Sequence, residues 1–127
     1  MTKTILVIDD NREFLEFMTD FLTGEGYYVV SHHDPHTALD ILRGARPQLL
    51  IVDIAMPGRT GWSIIEEMQA DQDLEGIPVI VCTAAVTEVG KSERFAEDRS
   101  IRLILKPFAV DELLGTIEEL TEVRPIV

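Results

Sequence analysis

Five residues with reactive or metal-binding side chains stand at the ends of short apolar runs of this chain. They are Asp9 and Asp10 after Thr4–Ile8, Asp53 after Leu49–Val52, Thr83 after Val79–Cys82, and Lys106 after Ile101–Leu105. If these runs are neighbouring parallel strands, their carboxyl ends lie at one edge of a sheet, where open parallel sheets bind ligands. The sequence therefore predicts that three carboxylates, one hydroxyl and one ammonium converge on a single site.

Three carboxylates in one pocket repel one another, which raises their pKa values unless a cation neutralises them. Mg²⁺ fits such a site because it takes a few carboxylate ligands, keeps several waters and shares a phosphate oxygen with its substrate. A carboxylate held in this way can attack phosphorus and become an aspartyl phosphate. We therefore expect Asp53 to be the nucleophile and Asp9, Asp10 and Asp53 to hold the metal. Lys106 and the Thr83 hydroxyl would each contact a phosphoryl oxygen.

Simpler interpretations exist for several of these residues. Either Asp9 or Asp10 could cap the first helix, Thr83 could be an ordinary residue at a strand end, and Lys106 could be solvated. Three further candidates, His32, His33 and His36, follow the second apolar run. No cysteine accompanies them, so a solvated turn is favoured over a metal site.

Five apolar runs alternate with amphipathic stretches along the chain. The runs predicted as strands are Thr4–Ile8, Tyr27–Ser31, Leu49–Val52, Val79–Cys82 and Ile101–Leu105. Their Val, Ile and Leu content is typical of strands buried on both faces of a parallel sheet. Apolar stripes predict helices around residues 14–22, 38–45, 62–68 and 110–117, and 87–98 is predicted as a weakly anchored helix. The pair Asp34-Pro35 is expected to begin the second helix. The fold class is therefore α/β, a single doubly wound five-stranded parallel sheet with five flanking helices.

Composition narrows the function further. The 127 residues are 46% hydrophobic and carry a net charge of −12, as expected for one globular domain with an acidic surface. Such a surface repels phosphate backbones and anionic lipids, so direct binding to nucleic acid or to a membrane is disfavoured. Cys82 is the single cysteine and lies in an apolar run, which favours a reducing compartment and a cytoplasmic location. Residues 1–123 are expected to form the domain and residues 124–127 a C-terminal tail.

Four blocks in this order resemble the receiver domains of two-component response regulators. They are Ile5-Leu6-Val7-Ile8-Asp9-Asp10-Asn11, Val52-Asp53-Ile54-Ala55-Met56-Pro57-Gly58-Arg59-Thr60-Gly61, Val81-Cys82-Thr83-Ala84-Ala85 and Leu105-Lys106-Pro107-Phe108. The resemblance implies a flavodoxin-like receiver fold with strand order 2-1-3-4-5. It also implies transfer of a phosphoryl group to Asp53 from the phosphohistidine of a sensor histidine kinase or a phosphotransfer protein. Mg²⁺ would be bound by Asp10 and Asp53, with Asp9 assisting and the backbone carbonyl of Ala55 contributing. The Lys106-Pro107 peptide bond would be cis.

Two features depart from the family pattern. Receiver domains commonly carry an aromatic residue three positions before the lysine, which turns inward when the threonine follows the phosphoryl group. Here that switch position is Leu103, so the aromatic version of the switch is absent. Ala55 and Ala85 stand where family members place side chains that influence the attacking water. We therefore expect hydrolysis of the aspartyl phosphate to receive no side-chain help from these two positions.

Two other classes of function fit the sequence less well. An aspartyl-phosphate hydrolase needs a second acidic group two residues after the nucleophile, where this chain has Ala55. A flavodoxin-like cofactor-binding module would have a glycine loop where this chain has Asp9-Asp10-Asn11. The chain is therefore expected to be a switch, not an enzyme, that changes the surface made by its fourth helix, fifth strand and fifth helix. Its partners would be the phosphodonor and a downstream protein or a missing output domain; a phosphorylation-dependent homodimer stays open.

Overall fold

The computed structural model describes residues 2–85 and 98–122 and shows a parallel sheet with helices on both faces. The strands are β1 (Thr4–Ile8), β2 (Tyr28–His32), β3 (Leu49–Val52), β4 (Ala55–Met56), β5 (Arg59–Thr60), β6 (Val79–Thr83) and β7 (Ile101–Leu105). Five of them form one parallel sheet in the order β2-β1-β3-β6-β7. Numbered over these five strands alone, this is the predicted order 2-1-3-4-5, so the predicted α/β architecture is confirmed.

The register of the sheet aligns the carboxyl ends of its strands. Ile8 at the end of β1 lies beside Val52 at the end of β3, and Val52 lies beside Val81 in β6. Thr83 at the end of β6 lies beside Leu105 at the end of β7. The residues that follow these positions are therefore brought to one edge of the sheet.

Alternation along β1, an inner strand of the sheet, shows that the core is divided into two layers. Leu6 and Ile8 of β1 face one layer, whereas Ile5 and Val7 face the other, as expected for a strand buried on both faces. The helices are α1 (Arg12–Gly24), α2 (Ala38–Ala45), α3 (Gly61–Gln69) and α4 (Val110–Thr121). Helices α2 and α3 pack on the first layer, and α1 and α4 pack on the second. Trp62 is buried in the first layer, which agrees with a packing role.

The N-terminus of α1 is capped by a different residue from those considered in the sequence. Neither Asp9 nor Asp10 caps α1, because the N-cap is Asn11, whose side chain accepts a hydrogen bond from the Phe14 N–H at 3.1 Å. Asp34 caps as predicted, although it begins a short 3-10 turn, Pro35–Thr37, which leads into α2. The capping hypothesis for Asp9 and Asp10 is therefore wrong.

A short antiparallel hairpin between β3 and α3 was not predicted from the sequence. Strands β4 and β5 pair Ala55 with Thr60 and Met56 with Arg59. Between them, Pro57 is followed by Gly58 at φ +79°, the residue order and left-handed glycine of a type II turn. The hairpin holds the chain close to Asp53 before α3 begins.

The described ranges contain four α-helices, compared with five expected from the sequence. The remaining predicted helix, at residues 87–98, lies outside the described residues except for Asp98. Within the part of the chain that is described, none of the helices has the length and apolar character needed to cross a membrane.

Candidate functional site

Four strand ends deliver the side chains of the site. Asp9 follows β1 directly, Asp53 follows β3, Thr83 is the last residue of β6, and Lys106 follows β7. Backbone hydrogen bonds extend the sheet by one residue at three of these ends. The Asp9 N–H donates to the His32 carbonyl at 3.1 Å, the Asp53 N–H to the Ile8 carbonyl at 3.2 Å, and the Lys106 N–H to the Thr83 carbonyl at 2.8 Å. The sheet therefore fixes where each of these side chains starts.

Three carboxylates meet at this edge, as the sequence predicted. One oxygen from each of Asp9, Asp10 and Asp53 lies within 4.8 Å of the other two. Their exposure is graded, since Asp9 is buried, Asp53 is partly buried and Asp10 is exposed. The cluster is therefore open to solvent on the Asp10 side, where a cation and a donor molecule could enter.

The Lys106 ammonium lies among these carboxylates. Its Nζ atom is 2.7 Å from Asp9 Oδ2 and 3.7 Å from Asp53 Oδ2. The Lys106–Pro107 peptide bond is cis. Three carboxylates beside a single ammonium leave a formal excess of two negative charges.

Burial raises the pKa of Asp9 above its usual value, and the neighbouring Asp53 charge acts in the same direction. The Lys106 hydrogen bond and charge oppose this rise, as does the Asn11 N–H, which donates to Asp9 Oδ1 at 2.9 Å. The net rise means that the site disfavours the anionic form of Asp9 as it stands. A bound cation would relieve that cost, and oxygen ligands of this kind suit Mg²⁺.

The backbone around Asp53 is packed closely against α3. The Ala55 N–H lies 3.3 Å from Asp53 Oδ1, and the Gly61 N–H donates to the Ile54 carbonyl at 2.9 Å. A side chain on Gly61 would collide with the backbone carbonyl oxygen of Asp53. A glycine at this position is therefore required by the close approach of α3 to the residue that bears the candidate nucleophile. Ala55 itself is exposed, and its carbonyl as a metal ligand stays a prediction.

Thr83 is fully buried at the end of β6. Its Oγ1 accepts a hydrogen bond from the Ala85 N–H at 3.0 Å. A hydroxyl that accepts one hydrogen bond can still donate another, so Thr83 keeps the capacity to donate to a phosphoryl oxygen. Leu103, the predicted switch position, is 39% exposed on β7. Its switch role stays a prediction.

Each of the three histidines contacts a different neighbouring residue. His32 Nε2 lies 2.6 Å from Thr37 Oγ1, and His33 Nε2 lies 3.3 Å from Arg12 Nη2. His36 is exposed and packs against Gly58. Among the described residues, only Asp9, Asp10 and Asp53 have ligand atoms grouped closely enough to hold a metal ion, which agrees with a solvated turn for the histidines.

One contact of Lys106 was missed from the sequence. Its Nζ atom lies 3.8 Å from the centroid of the Phe14 ring. The sequence placed Phe14 only on the apolar stripe of the first helix. The contact could have been predicted from the position of Phe14 in the first turn of the helix that follows Asp9 and Asp10, because that turn must lie beside the site.

The chain is similar to known proteins along most of its length. Residues 5–118 match the response regulator receiver domain family. The polar-differentiation response regulator DivK of Brucella ovis is 30% identical over 118 residues, which cover 93% of this chain and 95% of DivK. A solved structure of response regulator TrrA of Thermotoga maritima, in complex with Mg²⁺-BeF, superposes on this chain with a TM-score of 0.81 and 28% sequence identity. The aligned residues cover 94% of this chain and 99% of the TrrA chain.

A further solved structure supports the fold alone. The chemotaxis response regulator CheY4 of Vibrio cholerae has a TM-score of 0.81 at 24% identity, over 94% of this chain and 99% of its own. The family match includes all four strand ends that carry the clustered side chains. Because it also covers most of the chain, the resemblance inferred from the four sequence blocks is confirmed. The chain belongs to the response regulator receiver domain family of two-component signal transduction.

Proposed function

We propose that Asp53 accepts a phosphoryl group from the phosphohistidine of a sensor histidine kinase or a phosphotransfer protein, in a Mg²⁺-dependent reaction. The observation that carries this proposal is the meeting of Asp9, Asp10 and Asp53 around the Lys106 ammonium. Receiver domains of this family bind Mg²⁺ at an acidic site and interact with histidine kinases and downstream targets. They generally act as switches and not as enzymes, and a self-modifying switch is the role proposed here.

The differences between Asp9 and Asp53 support Asp53 as the nucleophile. Both oxygens of Asp9 are engaged, one by Lys106 and one by the Asn11 N–H, and its side chain is only 2% exposed. Asp53 has 12% side-chain exposure and lies 3.7 Å from Lys106, close enough to be oriented but without a tight ion pair. An oxygen of Asp53 is therefore better placed to approach an incoming phosphorus atom.

The residues present fit a magnesium ion. Asp9, Asp10 and Asp53 offer only hard oxygen ligands, and their excess negative charge needs a cation. We assign these three side chains and the Ala55 backbone carbonyl as the ligands. When bound, Mg²⁺ supplies charge neutralisation between the carboxylates and the incoming phosphoryl oxygens. The structure of TrrA, which contains Mg²⁺-BeF, supports this assignment by similarity.

The transfer step follows from these positions. An Asp53 carboxylate oxygen attacks phosphorus, the phosphorus–nitrogen bond of the phosphohistidine breaks, and its electron pair stays with the leaving imidazole. Lys106 then pairs with a phosphoryl oxygen, because the new group brings negative charge to within reach of its ammonium. Positioning and charge neutralisation are the main requirements of phosphoryl transfer, and both are provided here.

The switch would begin at Thr83. Its hydroxyl would move to donate to a phosphoryl oxygen. Because that hydroxyl accepts a hydrogen bond from the Ala85 N–H, its movement would also displace the chain that follows β6. We propose that the change spreads to the surface formed by the predicted helix at 87–98, β7 with Leu103, and α4. A differential stabilisation of a few kcal/mol is enough for such a population shift. Output then passes to a downstream protein, to an attached output domain or to a second copy of the chain.

The proposed setting is the cytoplasm, where sensor kinases present their phosphohistidines. The buried thiol of Cys82, the single cysteine of the sequence, is compatible with a reducing compartment.

The proposal is tested by incubating the protein with acetyl phosphate and measuring its intact mass. One phosphoryl adduct is expected with Mg²⁺, and none with EDTA or in Asp53→Asn. Asp40→Asn is the matched control, since Asp40 is an exposed carboxylate on α2, and it should be modified like the unaltered protein. An equal adduct on Asp53→Asn, confirmed as folded by circular dichroism, would contradict the proposal, as would labelling that does not depend on Mg²⁺.

A further inference from the structure

We propose that Phe14 is a positioning residue for Lys106, whose ammonium it holds against the face of its ring between Asp9 and Asp53. The inference deepens the proposed function and rests on it, since it concerns the cation that would pair with the transferred phosphoryl group.

The ammonium is held from two sides. Lys106 Nζ lies 3.8 Å from the Phe14 ring centroid and 2.7 Å from Asp9 Oδ2. An ammonium within about 6 Å of an aromatic centroid is attracted by the negative face of the ring. The Lys106 side chain is only 19% exposed, so little water screens this attraction. The ring therefore limits where the flexible lysine side chain can place its charge.

The ring is itself held by neighbouring groups. Its centroid lies 6.4 Å from that of Phe108, with the two planes at 88°, an edge-to-face arrangement that aromatic pairs favour. The Phe14 N–H donates to Asn11 Oδ1, and the Asn11 N–H donates to Asp9 Oδ1. Together with the bond from Lys106 to Asp9, these contacts form a closed circuit from Asp9 through Asn11, Phe14 and Lys106 back to Asp9. Phe14 is thus fixed relative to the carboxylate that shares its lysine.

Aromatic character matters because of what Lys106 must do. During transfer the ammonium has to exchange part of its interaction with Asp9 for a phosphoryl oxygen. Attraction to a ring face requires the ammonium to lie over the ring but does not depend on where any one N–H bond points, so it continues while the hydrogen-bond partner changes. An aliphatic side chain could fill the same volume but would not attract the charge. The ring is therefore expected to keep Lys106 preorganised for the charge that develops at phosphorus.

The first experiment replaces Phe14 with 4-fluoro-, 3,5-difluoro- and 3,4,5-trifluorophenylalanine, which keep the ring shape but weaken its negative face step by step. The rate of phosphorylation by acetyl phosphate should fall along the series, reaching a slowing of roughly 2- to 10-fold in the trifluoro protein and in Phe14→Leu. Phe14→Tyr should stay near the unaltered rate. The matched control is the same series at Phe17, a neighbouring and 45% exposed residue on α1, where no trend is expected. Equal rates along the Phe14 series would overturn the inference.

The second experiment is independent of phosphorylation. Lys106 Hε protons above a ring face should be shifted upfield by the ring current in the NMR spectrum. The shift should persist in Asp53→Asn and disappear in Phe14→Leu. Lys106 Hε protons at ordinary positions in the unaltered protein would overturn the inference. If the upfield shift is present but the protein never takes a phosphoryl group, the proposed function is contradicted, and with it the role of Phe14 in phosphorylation. If the adduct forms at equal rates in all the Phe14 variants, the role of Phe14 in phosphorylation is contradicted and the proposed function stands.

Discussion

The substitution Gly61→Ala should destabilise the protein at the point where α3 meets the segment that carries Asp53. Gly61 is the first residue of α3, and a Cβ atom there would collide with the backbone carbonyl oxygen of Asp53. Because the obstacle is backbone, it cannot rotate away as a flexible side chain would. Either α3 or the segment carrying Asp53 must therefore move.

The size of the effect follows from two opposing contributions. Forcing extra volume into a packed region costs typically about 1–3 kcal/mol. Inside a helix, alanine stabilises the folded state by up to ~1 kcal/mol relative to glycine. The difference is smaller at the first helical position, because that residue does not lie in the helix interior. With a gain of ~0.5 kcal/mol, the free energy of unfolding should therefore fall by about 0.5–2.5 kcal/mol. With a urea m-value of ~1.5 kcal/mol per molar, the unfolding midpoint should fall by roughly 0.3–1.7 M.

Urea unfolding followed by circular dichroism measures this change, and Gly115→Ala is the matched control. Gly115 lies within α4, and a Cβ atom there has nothing within 4 Å. The same substitution should stabilise the protein by about 0.5–1 kcal/mol at that site, because alanine restricts the unfolded chain and favours the helix. A Gly61→Ala protein as stable as the unaltered one would refute the packing argument, as would a loss of similar size in Gly115→Ala.

Three other predictions concern Cys82 and the loss of the phosphoryl group. Burial raises the pKa of the Cys82 thiol from 9.0 to about 12, so the folded protein should hold about a thousandfold less thiolate at pH 8 than the unfolded chain; a thiol reagent that reacts equally fast before and after adding urea would contradict this. The same shift predicts that the contribution of Cys82 to stability is constant below pH 9 and falls as the pH rises from 9 towards 12, because only the unfolded thiol then loses its proton. Replacing Ala55 with Asn or Ala85 with Glu should speed loss of the phosphoryl group by roughly 2- to 10-fold, since each adds a side chain that can orient water. Unchanged decay of the adduct in both variants would remove that explanation.

The fold and the location of the site could be predicted because they depend on burial and on sheet geometry. The run Leu49–Val52 is apolar on both faces, and its predicted bounds are those of β3. Once the runs are parallel strands, the residues after Ile8 and Val52 must meet at one edge. The clustering of Asp9 and Asp53 then follows from topology alone.

Three features were not predicted from the sequence, each for a different reason. Asp9, Asp10 and Asn11 are all good capping residues, and only the packed position of α1 decides that Asn11 caps it. The β4–β5 hairpin is too short to show any apolar alternation. The contact between Phe14 and Lys106 joins residues 92 positions apart (106 − 14), and its formation depends on side-chain rotamers.

The most direct measurement locates the phosphoryl group itself. After reaction with acetyl phosphate and Mg²⁺, borohydride reduction converts an aspartyl phosphate to homoserine, which peptide mass spectrometry can place in the sequence. We expect homoserine at position 53 and none at Asp9 or Asp10, the other two members of the cluster. Homoserine at either of those positions, with position 53 still aspartate, would contradict the account of how this edge of the sheet works.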